Sequence, residues 1–230
     1  MKIGTVTALA LRATRRSPPK SVACADAVAQ RGLLGDAHAD RYSPRQLLIA
    51  GADAYRELGL APHALRENVL VDFDTDELAS GTVLRVGDDV LLRLMFQCEA
   101  CGNLDAFRPG LARDIGLRRG MLARVIAGGT LRPGDPVHDL EPLLPAWSDD
   151  WHERVLAVLD AVPPAYVVTY RDLARLAGIQ STYCRAFPRM LNNLGPDYAE
   201  RAVPMNAPVA APRWQGEGLF DHAPLLRAVT

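Results

Sequence analysis

Apolar and polar residues alternate loosely over residues 2–12, the period-two pattern of a first strand. Residues 15–20 are polar and carry Pro18-Pro19, which predicts a loop. The run G-L-L-G-D-A-H-A-D-R at 32–41 mixes glycine, aspartate and histidine, and predicts a loop able to line a site. A short apolar run at 46–49 reads as a strand. Residues 50–58 follow with good helix formers and apolar Ala54, Tyr55 and Leu58. Residues 67–73 supply another short strand. Residues 82–86 and 90–96 flank G-D-D at 87–89, the clearest hairpin in the chain, because glycine and aspartate tolerate turn dihedrals. Residues 122–126 and the segment around Val137 add more strand. Short strands separated by glycine turns predict a small closed or half-closed β-structure.

The pattern changes near residues 142–147, where two prolines end the strand-like stretch. This places a first domain at 1–144 and a second at 145–230. Asp149 or Asp150 can cap a helix with apolar Val155, Leu156, Leu159 and Val162, which Pro163-Pro164 ends. Residues 167–169 are extended, and 171–177 form a short helix closed by Gly178. Ser181 or Thr182 caps a further helix to Leu194, interrupted or kinked at Pro188. Two short helices about a glycine turn suggest a helix-turn-helix. Residues 195–230, rich in proline and glycine, read as loop and wing. The expected class is α+β, a barrel-like β domain followed by a mainly helical, winged-helix-like one.

Composition adds limits. The chain has 230 residues, 49% of them hydrophobic, with a formal charge of −1, so bulk charge does not point to nucleic acid or membrane. No run of about 18 apolar residues is present, so no membrane-spanning helix is expected. The N-terminal apolar run is too short for a secretory signal, and a cytoplasmic location is expected. Four cysteines, at 24, 98, 101 and 184, are too few for a disulfide framework in a chain of this length, and reduced thiols are the default. A structural zinc needs four ligands. A lone Cys-x-x-Cys supplies two and no second pair is present, so the zinc signal is weak, with His38 or His138 as the candidate further donor.

The chemistry concentrates between Leu94 and Val137. An apolar strand runs into Cys98 and Cys101, and a basic pair, Arg118 and Arg119, follows. Thiolate is the reactive form of cysteine, and positive charge nearby favours it. Taken alone, Cys101 reads more as a buried core cysteine than as a site residue. Cys98 is either a resolving thiol for it or a strand residue. Arg45, Arg66, Arg118 and Arg119 are either solvated surface or a rim for an anion, since guanidinium grips phosphate through a two-pronged fork. Asn68 either bonds a ligand or fixes a loop. Asp36 and His38 either shape a site or form a turn.

The first part resembles the MOSC domain, the module at the C-terminus of molybdenum-cofactor sulfurases. The resemblance covers roughly 1–140. It rests on G-D-A-H at 35–38, R-Q-L-L-I at 45–49, E-N-V at 67–69 and G-T-V-L-R-V-G-D at 81–88. It rests further on C-E-A-C-G-N-L at 98–104 and A-G-G-T-L-R-P-G-D-P-V at 127–137. It implies that Cys101 is the functional thiol, ligating molybdenum or carrying sulfur. It also implies that Arg45, Arg66, Asn68, Arg118 and Arg119 face the phosphate-bearing pterin of the molybdenum cofactor (molybdopterin). A sulfur donor or redox partner protein would serve such a site. The pyridoxal-phosphate desulfurase domain of a full sulfurase is not in this chain, so that cofactor is not expected. Some family members reduce N-hydroxylated compounds, which makes a molybdenum-dependent oxidoreductase or a sulfurtransferase the expected activity.

The second part, about 147–222, resembles the DNA-binding domain of alkylguanine-DNA alkyltransferases and alkyltransferase-like proteins, through V-L-A-V-L-D-A-V-P-P-A-Y-V-V-T-Y-R-D-L-A-R-L-A-G-I at 155–179. Tyr170 and Arg185 match the family residues that rotate the nucleotide and fill the gap it leaves. The P-C-H-R-V signature is replaced by P-M-N-A-P at 204–208, with Met205 at the nucleophile and Asn206 at its histidine partner. A thioether cannot be activated as a thiolate, so alkyl transfer is not expected. The alternative function is a lesion-binding protein without catalysis. Residues 145–230 hold eight arginines against nine acidic residues, and phosphate neutralisation dominates DNA affinity, so any DNA binding would be weak.

Overall fold

The computed structural model describes residues 1–221; part of the expected loop and wing, residues 222–230, lies outside them. The chain divides into two compact units. One comprises Met1–Arg41 and Arg45–Trp147. The other comprises Tyr42–Pro44 and the chain from Ser148 on.

The first unit is built from β1 (Lys2–Leu11), β2 (Lys20–Val22), β3 (Ala25–Val28), β4 (Gly32–Leu33), β5 (Leu47–Gly51), β6 (Val69–Val71), β7 (Thr82–Val86), β8 (Val90–Gln97), β9 (Met121–Ala127), β10 (Gly129–Leu131) and β11 (Pro136–Pro142). Neighbours run β11-β7-β8-β9-β5-β6-β1, and β1 pairs back with β11, so seven strands close a barrel. The β5–β6 pair is parallel and the other barrel pairs are antiparallel. Strand β2 extends the sheet beyond β1, and β10-β3-β4 form a separate small sheet.

Alternation fills the interior. Leu47 and Ile49, Val69 and Val71, Val90, Leu92 and Leu94, and Met121, Ala123 and Val125 belong to one buried cluster. On the other side of β5, Ala50 joins Ala54, Leu65, Leu104, Leu111 and Ile115 in a second cluster. It draws in α1 (Ala52–Leu58) and α2 (Leu111–Asp114). With both faces covered, β5 is buried throughout, which explains why its sequence shows an unbroken apolar run instead of alternation. Arg93 and Arg124 lie opposite each other on β8 and β9, both nearly fully buried. Arg93 donates to the Pro145 carbonyl and Arg124 to the Gln30 side chain and the Arg41 carbonyl, so each guanidinium fastens a loop to the barrel.

The second unit holds α3 (Trp151–Ala161), β12 (Val168–Thr169), α4 (Tyr170–Leu176), α5 (Phe187–Leu194), α6 (Pro196–Arg201) and β13 (Ala202–Val203), with β12 and β13 paired in parallel. Asp150 caps α3 by accepting from the His152 amide, and Thr169 caps α4 by accepting from the Asp172 amide. Arg154, almost wholly buried, donates to the carbonyls of Ser148, Asp149 and Ala177 and ties α3 to the end of α4.

The helix expected from Ser181 to Leu194, interrupted or kinked at Pro188, is interrupted into two pieces. A 3-10 turn covers Ser181–Arg185, and α5 begins at Phe187. Pro188 lies in the first turn of α5, where its missing N–H has no intrahelical partner to lose, so it starts a helix and does not kink one. Helix α6 and strand β13 occupy part of the stretch expected to be loop. Among the described residues no helix is long and apolar enough to cross a membrane.

Candidate functional site

One cleft of the first unit is lined by Arg12, His38, Arg45, Leu47, Leu48, Arg66, Asn68, Cys98, Arg119 and Leu122, and encloses about 40 Å³. That is room for a few water-sized groups, or for the head of an anion, but not for a whole pterin.

Asn68 holds the wall together. Its oxygen accepts from the Leu48 amide at 3.1 Å and from Arg12 Nη2 at 3.3 Å. Its nitrogen donates to the Ala10 carbonyl at 3.1 Å and to Asp36 Oδ2 at 2.8 Å. All four of its hydrogen-bonding positions are filled by protein, so this residue positions its neighbours. Asp36, buried beside it, accepts from the Arg12 amide at 2.9 Å through Oδ2, and from the His38 amide at 2.8 Å through Oδ1. Burial raises its carboxyl, but the His38 and Arg12 hydrogen bonds outweigh that and hold it at about 2. The His38 ring, 3.2 Å from Asp36, is pushed below its ordinary value by burial.

The cleft is cationic beyond what Asp36 neutralises. Burial lowers the Arg12 guanidinium, Asp36 works against that, and the neighbouring Arg66 and Arg119 charges lower it further. Arg12 is 7% exposed and Arg119 6%, and Nε of each is buried without a hydrogen-bond partner. Arg119 also donates through Nη1 to the Leu65 carbonyl. Arg66, with φ of 56°, donates to the carbonyls of Arg15 and Ser17. An unpaired donor in a buried cationic site is costly unless an acceptor fills it, which is the arrangement an oxyanion would complete.

The Cys-x-x-Cys follows β8. Cys98 is buried within the cleft, with Arg45 Nη2 donating toward its Sγ at 4.0 Å. Cys101, three residues on, is half-buried and precedes the 3-10 turn Gly102–Ala106. Both thiols are free. Of the residues expected from the sequence, the cleft therefore gathers Arg45, Arg66, Asn68 and Arg119. Arg118 points elsewhere, to Glu57 and the Asp114 carbonyl. Arg12, at the end of β1, was not among the expected residues. A lone arginine after an apolar strand carries no local signal, and only closure of the barrel brings it to Asn68. Among the described residues no group of three or more His, Cys, Asp or Glu is disposed to hold a metal ion on its own.

In the second unit, Tyr170 opens α4 and is half-buried, its ring edge-on to Phe187 at 5.7 Å. Arg185 is exposed at the end of the 3-10 turn.

Residues 43–138, which span most of the barrel strands, match the model of the MOSC domain. Among solved structures, the YUAD protein from Bacillus subtilis is 19% identical with a TM-score of 0.53, the likeness covering 60% of this chain and 96% of that one. A hypothetical protein is 21% identical with a TM-score of 0.51, covering 82% and 91%. YiiM from Geobacillus stearothermophilus is 15% identical with a TM-score of 0.47, covering 83% and 98%. At these identities the first two likenesses concern the fold. No curated protein matches the chain.

Proposed function

We propose that the arginine cleft receives the phosphate of the molybdenum cofactor and that the Cys-x-x-Cys offers the soft sulfur donor. The observation that carries this reading is the pair of buried guanidinium nitrogens without a hydrogen-bond partner, Arg119 Nε and Arg12 Nε, the latter 3.8 Å from Asp36 Oδ2, in a cleft that also contains a cysteine. MOSC domains are known for binding this cofactor or for carrying sulfur, and the match of residues 43–138 to that domain supports the reading.

The residues fit the group in charge and in donor chemistry. Arg12, Arg45, Arg66 and Arg119 supply the cationic wall, and a thiolate is a soft ligand suited to molybdenum. On this reading the cleft, of about 40 Å³, takes the anionic end of the cofactor, with the rest outside. Cys101 is the thiol we assign to the metal or to a persulfide, since it is the more accessible of the two, while Cys98 sits against Arg45. Bound there, the cofactor would supply two-electron oxygen-atom chemistry, and N-hydroxylated compounds are the substrate class proposed. The chain's own residues bind and orient. Asp36 and Asn68 hold Arg12 in place, and Leu47, Leu48 and Leu122 limit water in the cleft.

The test is the metal and pterin content of the full chain, purified from a host that makes the cofactor. Stoichiometric molybdenum and pterin in the wild type, with molybdenum lost in Cys101→Ala, are expected. Wild-type protein free of both would overturn the reading.

A further inference from the structure

Outside the cleft, a serine, a histidine and a glutamate are in line. We propose that Ser21, His63 and Glu67 form a second site, a nucleophilic serine that accepts acyl groups from small esters arriving from solvent.

Ser21 Oγ lies 2.7 Å from His63 Nε2, and His63 Nδ1 lies 3.1 Å from Glu67 Oε1. An ionised carboxylate only accepts, so Nδ1 carries the ring proton and Nε2 turns its lone pair to the serine hydroxyl. This is the order nucleophile, base, orienting acid. Glu67 is 2% exposed, and its other oxygen accepts from the Tyr55 hydroxyl at 2.5 Å. That hydroxyl in turn accepts from the Leu65 amide at 3.2 Å, so the carboxylate is fixed from behind. The base is held in an uncommon backbone state: His63 has φ of 61°, a left-handed conformation that is costly for a non-glycine residue and persists only where surroundings impose it.

Ser21 is exposed in β2, which pairs with β1 on one side only. Its register partner is Ala10. The Ala10 amide and carbonyl both turn the other way, to the Asn68 carbonyl and side chain. The Ala10–Ser21 pair is therefore a wide, non-hydrogen-bonded one, and the Ser21 N–H projects from the free edge of the sheet. The nucleophile's own backbone N–H thus stands ready as an oxyanion donor.

The reaction balances without any co-reactant but water. Ser21 Oγ attacks the ester carbonyl carbon as its proton passes to His63 Nε2. The ester C–O bond breaks, the proton passes to the departing alkoxide, and an alcohol leaves. Water, deprotonated by His63, then releases the acid and restores Ser21. Ser21 and His63 are catalytic, and Glu67 is a positioning residue. None of the three lines the arginine cleft, so the proposal stands apart from the cofactor reading.

The experiment treats the full chain with a fluorophosphonate probe and maps the modified peptide. One equivalent on Ser21 is expected, absent in Ser21→Ala. In His63→Asn, chosen because asparagine tolerates a left-handed backbone, the labelling rate should fall about 100-fold, the low end for loss of a general base. The wild-type rate should fall on acidification with a midpoint above about 6.5, since the Glu67 hydrogen bond holds the His63 ring up. Glu67→Gln should move that midpoint down. Probe found elsewhere than Ser21, or Ser21 labelled equally fast in a folded His63→Asn, would overturn the proposal. Should His63→Asn fail to fold, the acid limb of the wild-type rate decides the matter: a pH-independent rate overturns it.

Discussion

Asp36 shows how a single residue sets the wall of the cleft. Its carboxylate gathers Arg12, His38 and Asn68 at once, and its folded value of about 2 lies below the ordinary 3.8. A depressed acid stabilises the fold above its unfolded value and loses that contribution as pH falls through the folded one. The shift corresponds to about 2 kcal/mol, present at neutral pH and lost between about pH 4 and pH 2. Asp36→Asn should accordingly be less stable than wild type by that order at pH 6 in urea unfolding, with the gap closing toward pH 2. Arg119 gives a second prediction. Arg119→Lys keeps the charge but loses the fork, so phosphate or isolated cofactor should bind about 10-fold more weakly by calorimetry. At this scale the sequence carried only part of the site. Arg45, Arg66 and Arg119 were legible from the family resemblance. Arg12 was not, because what gives it meaning is Asn68, 56 residues away in the chain. Asn68 itself was open between bonding a ligand and fixing a loop, and its four hydrogen bonds within the protein favour the fixing role.

Among elements, those with strong local signals were legible and the very short ones were not. The β7–β8 hairpin, α3 with its Asp150 cap and α4 ending before Gly178 follow their sequence patterns, since turn chemistry and capping act within a few residues. Strands β3, β4 and β10 are two to four residues long, too brief for periodicity, and pairing alone defines them. The choice between an interruption and a kink at Pro188 stayed open for a related reason: a proline is a breaker inside a helix and a starter in its first turn, and the sequence does not say where the turn begins. Two substitutions probe the elements. Thr169→Ala should cost about 1 kcal/mol by removing the α4 cap, read as a lowered midpoint for the second unit in denaturant. Gly120→Ala should destabilise the barrel more than that. Gly120 has φ of 103°, and an added Cβ would fall 2.3 Å from the Ile49 carbonyl oxygen, where β9 is laid against β5.

For the molecule as a whole, closure of seven strands is what turns scattered arginines into one cationic wall. Arg12 leaves the end of β1, Arg45 and Arg66 come from the loops before β5 and β6, Cys98 follows β8, and Arg119 precedes β9. No stretch of sequence brings these together, and the barrel does. The central claim is that this wall and the thiols of the Cys-x-x-Cys, of which Cys98 lines the cleft, hold a phosphate-bearing molybdenum cofactor. Its most direct test is molybdenum and pterin measured together in wild type, Cys101→Ala and Arg119→Lys, all expressed in a host shown to make the cofactor. The account predicts both components at one per chain in wild type, molybdenum lost first in Cys101→Ala, and both reduced in Arg119→Lys. Wild-type protein free of both, or a Cys101→Ala protein with full molybdenum, would contradict it.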